Sequence, residues 1–179
     1  MEPYNLEHFS EKGDHGIGLV YYGVGIKTSS VLLGGNFVQK KGDALLVAGY
    51  GAIQAGIVNN TVIATEYPKT LMESFMEVKD KKECYSDSAL HPTVNYFCLY
   101  NKDSTIFPGD SGGPALAAGR RGKWYQVGVL NTFLWEKLQV FLPGKSIIMP
   151  IAPYCHWIEK ATEGEAKCQN FEPAMIPGK

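Results

Sequence analysis

The chain has 179 residues, 45% hydrophobic and 20% charged, a composition that suits one globular domain with a sizeable core and not a disordered chain. Its formal charge of −1 argues against nucleic acid or an anionic membrane surface as the main partner. No apolar run reaches the roughly 18–20 residues that a transmembrane helix needs. The start, Met1-Glu2-Pro3-Tyr4-Asn5-Leu6-Glu7-His8, is polar and acidic and does not read as a secretory signal.

In chain order, short β-branched and aromatic runs between glycine-rich turns predict strands at Ile17–Tyr22, Ser30–Leu33, Ala44–Tyr50 and Thr61–Thr65. Further strands are expected at Tyr96–Tyr100, Pro114–Ala117, Trp124–Leu130 and Ser146–Pro150. Gly34-Gly35-Asn36 and Gly119-Arg120-Arg121-Gly122 look like hairpin connections. Leu71–Lys79 reads as a short helix, or equally as strand plus loop. Pro153–Glu163 reads as a helix opened by proline, given an apolar side by Trp157, Ile158 and Ala161, and ended by Gly164. Asn59-Asn60-Thr61 is a single glycosylation sequon. The segment 165–179 is expected to be a loose tail. Many short strands closed by one C-terminal helix predict an all-β barrel.

The four cysteines, Cys84, Cys98, Cys155 and Cys168, fall in no CxxC or HxxxH spacing, so a zinc site is not expected. By number alone they allow two bonds in three pairings. The chemistry concentrates instead in Phe107-Pro108-Gly109-Asp110-Ser111-Gly112-Gly113-Pro114. A serine hydroxyl is a poor nucleophile at neutral pH. It needs a base to take its proton and N–H donors to hold the oxyanion formed on attack. Glycine at 109 lets the backbone turn so that its own N–H and that of Ser111 converge.

This GDSGGP string resembles the nucleophile motif of the trypsin-like, chymotrypsin-fold serine proteases, whose triad mechanism is well described. Other stretches are similar to the second half of that family. Val47-Ala48-Gly49-Tyr50-Gly51 resembles its "GWG" element with tyrosine for tryptophan, and Gly128-Val129-Leu130-Asn131 sits where its substrate-pairing strand follows the nucleophile. Ile151-Ala152-Pro153-Tyr154-Cys155-His156-Trp157-Ile158 resembles its closing helix. The resemblance runs from about Gly42 to Gly164 and implies a second barrel over 42–164, with 1–41 as a remnant of the first barrel and the linker. It further implies Ser111 as nucleophile, Gly109 and Ser111 as the oxyanion hole, and a Cys84–Cys98 disulfide. A peptide or protein would be the substrate or partner, no cofactor would be needed, and the family's compartment is the secretory pathway or the extracellular space. Cys155 and Cys168 are left open: a local loop closure, free thiols, or bonds to a segment not present.

The chain departs from the family pattern at the base. No "TAAHC"-like histidine occurs, and too few residues precede Gly49-Tyr50-Gly51 for a six-stranded first barrel at about 5–6 residues per strand. Asp14-His15-Gly16-Ile17-Gly18-Leu19-Val20 resembles the "NDIALL" segment, where an ungapped count places the triad aspartate on Gly16 and a two-residue insertion places it on Asp14. His8, His15, His91 and His156 all lack the family's context for the base, so none is assigned. The "IVGG" N-terminus that pairs with the acid equivalent to Asp110 is absent, and Asp110 reads as a structural acid capping nearby N–H groups. Phe107 stands where the family has a pocket cysteine. The pocket floor falls on Thr105 or Asp103, Asn131 lies on the substrate-pairing strand, and Phe133 at the wall would narrow the entrance.

Three functions follow. The first is an endopeptidase homologue, inactive as given for want of a histidine and represented by an incomplete product. The second is a non-catalytic binding module. The third, a compact two-barrel protease, is disfavoured because no histidine lies between His15 and His91. A single barrel torn from its partner would also expose unpaired strand edges and aggregate.

Overall fold

A computed structural model describes residues 17–20, 29–59, 61–84, 95–134 and 145–174. The described strands are β1 (Leu32–Gly34), β2 (Ala44–Gly49), β3 (Gln54–Val58), β4 (Thr61–Glu66), β5 (Met72–Lys79), β6 (Phe97–Tyr100), β7 (Pro114–Ala118), β8 (Trp124–Leu134), β9 (Lys145–Pro150) and β10 (Cys168–Gln169). The one α-helix, α1, spans Cys155–Ala161 after a 3-10 turn at Ala152–Tyr154.

Strands β8, β7, β2, β5, β6 and β9 pair in that order, and β9 returns to β8, so six antiparallel strands close on themselves. This closure removes the torn edge expected of a lone barrel. Alternation puts Leu45 and Val47 of β2, Met76 and Val78 of β5, and Phe97 and Leu99 of β6 inside. Ala115 and Ala117 of β7 face Tyr125, Val127 and Ile148 in the same core, small against large. Strand β9 is buried on both faces, with Ile147 and Met149 packing outward on Tyr96 and the Cys84–Cys98 disulfide.

The structure decides one reading left open and changes three expectations. Of the helix and the strand allowed for Leu71–Lys79, the strand forms over Met72–Lys79, held by a six-pair ladder from Ala44↔Glu77 to Gly49↔Met72. Gln54–Val58 is a strand that the residue pattern does not announce. Of Ile17–Tyr22, the described part (17–20) forms no strand; Ile17 and Leu19 pack against the cluster of Val129, Ile151 and Ile158. The segment expected to be loose is attached as far as it is described. Cys168 is bonded to Cys155, β10 pairs in parallel with β1, and the Phe171 ring meets Phe37 and Tyr125 edge-on at 5.2 and 5.3 Å.

Away from the barrel mouth, Lys41 Nζ reaches Asp80 Oδ2 at 3.0 Å and Glu83 Oε1 at 2.7 Å, tying the turn before β2 to the 3-10 turn that leads into Cys84. The hydrogen bond from Lys41 holds both carboxyls below their ordinary values, and the two acids hold the ammonium above its own. Depressed carboxyls add stability that is present above their unfolded values near 4 and lost as pH falls. The raised ammonium adds stability that is present below about 10.5 and lost at higher pH. Lys41→Met should therefore flatten the acid limb of a urea-midpoint curve between about pH 5 and 3. The effect will be modest because all three side chains are solvated. An unchanged slope would show that the cluster contributes nothing.

Candidate active site

The serine turn is built by glycine and one acid. Gly109 and Gly112 have φ of +100° and +87°, in the region L side chains rarely adopt. Between β6 and β7 they let the chain reverse tightly: Asp110 N–H donates to the Phe107 carbonyl (3.0 Å) and Gly113 N–H to the Asp110 carbonyl (2.9 Å). Gly112 N–H donates to the Leu130 carbonyl and Leu130 N–H to the Gly113 carbonyl, both at 2.8 Å, which clamps the turn to β8.

The Asp110 carboxylate turns inward. Its Oδ1 accepts the Gly51 N–H at 2.8 Å and its Oδ2 the Phe107 N–H at 2.9 Å. Gly49 and Gly51 both lie against this carboxylate so closely that a Cβ at either position would collide with it. Ala52 N–H donates to the Pro108 carbonyl at 2.9 Å, completing the seam. The Gly-Tyr-Gly element is thus a socket for Asp110. Its spacing was visible in the sequence, but its use was not.

The N–H groups of residues 110 and 113 are spent inside this turn and that of 112 on β8, whereas those of Gly109 and Ser111 have no acceptor among the described residues. These are the two donors the sequence nominates for an oxyanion. Ser111 is exposed, and its Oγ donates to the Asn131 carbonyl on β8 at 2.8 Å. No imidazole contacts it among the described residues. His156 lies exposed on α1, while His8, His15, His91, Asp14 and Gly16 fall outside the described residues.

Of the four residues expected at a specificity pocket, two line a common cleft. Asp103 and Thr105 line a cleft of about 550 Å³ behind Asp110, walled also by Val47, Met72, Ser74 and Leu130. Neither Asn131 nor Phe133 lines that cleft. Asp103 is exposed, 3.7 Å from Lys102 Nζ, and Thr105 Oγ1 lies 3.4 Å from Ser146 Oγ. Phe133 instead stacks on Phe107, with ring centres 5.1 Å apart and planes 9° from parallel. Two aromatic rings thereby join the serine-bearing segment to β8, at the position where the family resemblance would place one end of a cystine. A hydroxyl pair, Ser74 Oγ to Ser104 Oγ at 2.6 Å, closes the far side of the cleft; no sequence signal marked it.

Among the described residues no group of three or more His, Cys, Asp or Glu side chains could hold a metal ion. No helix there is long and apolar enough to cross a membrane. No curated protein matches the chain. The family model described as Trypsin does, over residues 26–158, which takes in every barrel strand, the Asp110 socket, Ser111 and most of α1. With a closed six-stranded barrel, most of a closing helix and the glycine-bounded serine turn inside that match, the chain belongs to the trypsin family.

Proposed function

We propose that the protein is a serine-endopeptidase homologue with Ser111 at the nucleophile position, and that these 179 residues alone do not turn over peptides. In the reaction proper to such a site, Ser111 Oγ attacks the carbonyl carbon of a peptide bond and passes its proton to a base. The N–H groups of Gly109 and Ser111 receive the oxyanion, the amine leaves, and water releases the acyl group. The observation that carries the reading is the hydrogen bond from Ser111 Oγ to the Asn131 carbonyl. A hydroxyl donating to an amide carbonyl keeps its proton, because that oxygen is far too weak a base to take it. Oxyanion donors and binding without the base give only residual catalysis.

The test is a fluorophosphonate probe, which labels activated serines. The purified 179-residue chain is expected to stay unlabelled while its circular dichroism reports a folded barrel. Labelling that disappears in Ser111→Ala would overturn the inactive reading and establish a working nucleophile.

A second reading, a non-catalytic module that binds a peptide or protein, draws on the Phe107–Phe133 stack. Rings packed face to face between the serine segment and β8 leave little room for a long side chain there. On this reading a partner captured by the chain is held equally well by Ser111→Ala. The two disulfides suit work in an oxidising, extracellular-type compartment.

A further inference from the structure

Strands β3 and β4 pair only with each other, as a two-stranded sheet separate from the barrel. Their last paired residues are Val58 and Thr61, three positions apart in the chain, and Asn59 follows directly on Val58. Asn59 has φ of +50°, the left-handed conformation that a two-residue hairpin loop of type I′ asks of its first central residue, and it is exposed. The base of the hairpin is fixed by the Ile53 N–H to Glu66 carbonyl bond, next to the Asp110 socket. Five strand residues at ~3.4 Å each carry the tip roughly 17 Å from that base.

Asn59-Asn60-Thr61 is also the one Asn-X-Ser/Thr triplet in the chain, and X is not proline. All four cysteines are paired, Cys84 with Cys98 and Cys155 with Cys168, the state expected where disulfides form and N-linked sugars are added. Turn geometry by itself explains an asparagine at 59, since asparagine tolerates positive φ.

We propose that Asn59 is an N-glycan acceptor. The side-chain Nδ2 forms a bond to the anomeric carbon of an oligosaccharide carried on a lipid pyrophosphate. The bond from that carbon to the pyrophosphate oxygen breaks, the lipid pyrophosphate leaves, and one amide proton passes to a base of the transferring enzyme. Nothing is oxidised or reduced. The sugar would stand over Val58 and Ile63, apolar side chains that the hairpin leaves 54% and 44% exposed. This inference does not depend on whether Ser111 is reactive.

The test directs the full chain into the secretory pathway of a eukaryotic cell behind a cleavable leader, and compares intact masses before and after peptide N-glycosidase. The wild-type chain is expected to run heavier than its polypeptide mass, to fall to that mass on treatment, and to carry aspartate at 59 afterwards. Asn59→Asp, which keeps a residue tolerant of positive φ, and Thr61→Ala, which keeps Asn59, should both be secreted without the sugar. Thr61→Ser should keep it. Wild-type protein secreted at the bare polypeptide mass would overturn the proposal, as would a sugar that survives in Thr61→Ala. Because the wild-type mass decides, a variant that fails to fold does not blunt the test.

Discussion

Gly51→Ala should destabilise the chain by about 1–3 kcal/mol if the turn shifts and by about 3–6 kcal/mol if the Asp110 carboxylate is expelled, against the ~5–15 kcal/mol that holds a domain together. A methyl at 51 would occupy the space of the Asp110 carboxylate, and Gly51 itself is buried, so the side chain cannot swing aside freely. If the carboxylate is expelled, the N–H groups of Gly51 and Phe107 lose a charged acceptor, at about 1.5–3 kcal/mol for each bond. If it stays, the turn must shift, which overpacking data put at about 1–3 kcal/mol. Either route also displaces the Gly109–Ser111 backbone. The control is Gly56→Ala on β3, where the nearest atom to a new Cβ is 3.8 Å away. A urea midpoint for Gly51→Ala equal to that of Gly56→Ala would show that Asp110 does not organise the turn.

Removing the Cys155–Cys168 bond in the double variant Cys155→Ser/Cys168→Ser should cost about 2–4 kcal/mol, given a sequence separation of 13 residues. The bond joins the first residue of α1 to β10, whose only described partner strand is the three-residue β1. With it gone, residues 165–174 depend on a two-residue parallel pair, the Phe171 ring contacts, the Gly119–Pro173 bridge, the exposed Lys167–Glu159 ion pair and a few single hydrogen bonds, among them Gly35 N–H to the Gln169 carbonyl, Phe171 N–H to Asn36 Oδ1 and Arg120 N–H to the Glu172 carbonyl. Limited proteolysis should then cut beyond Gly164 while the six-stranded barrel persists. An unchanged unfolding midpoint and an intact C-terminal segment would show that ring packing suffices.

How far the sequence could be read depended on how local each signal was. Ala44–Gly49 and Lys145–Pro150 carry their own apolar and β-branched residues, and their strands fall within a residue or so of expectation. Met72–Lys79 stayed open between helix and strand because methionine, glutamate and lysine favour helix and Leu71, Phe75 and Met76 fit a helical spacing. Pairing with β2 overrode that preference, leaving Phe75 57% exposed on the outer face while Met76 and Val78 turned inward. Gln54–Val58 carries Ala and Gly in its interior, so only its partner β4 reveals it. Strand β8 runs four residues past its expected end because β9 continues to pair with Thr132–Leu134 beyond an irregularity at Leu130/Thr132.

The serine turn was legible for the same reason. Gly109, Asp110, Ser111 and Gly112 are adjacent, and positive φ at two glycines is a property of those residues wherever they fold. The sequence by itself therefore determined the barrel class, the closing helix, the family and the position of the glycine-bounded serine turn. The tertiary structure decided what those residues touch. It set Asp110 in a socket 59 residues distant, stacked Phe107 on Phe133, and pointed Ser111 Oγ at the Asn131 carbonyl. Each of these is a contact between strands or turns far apart in the chain. Such contacts are fixed by how the barrel closes, and no local pattern of residues announces them.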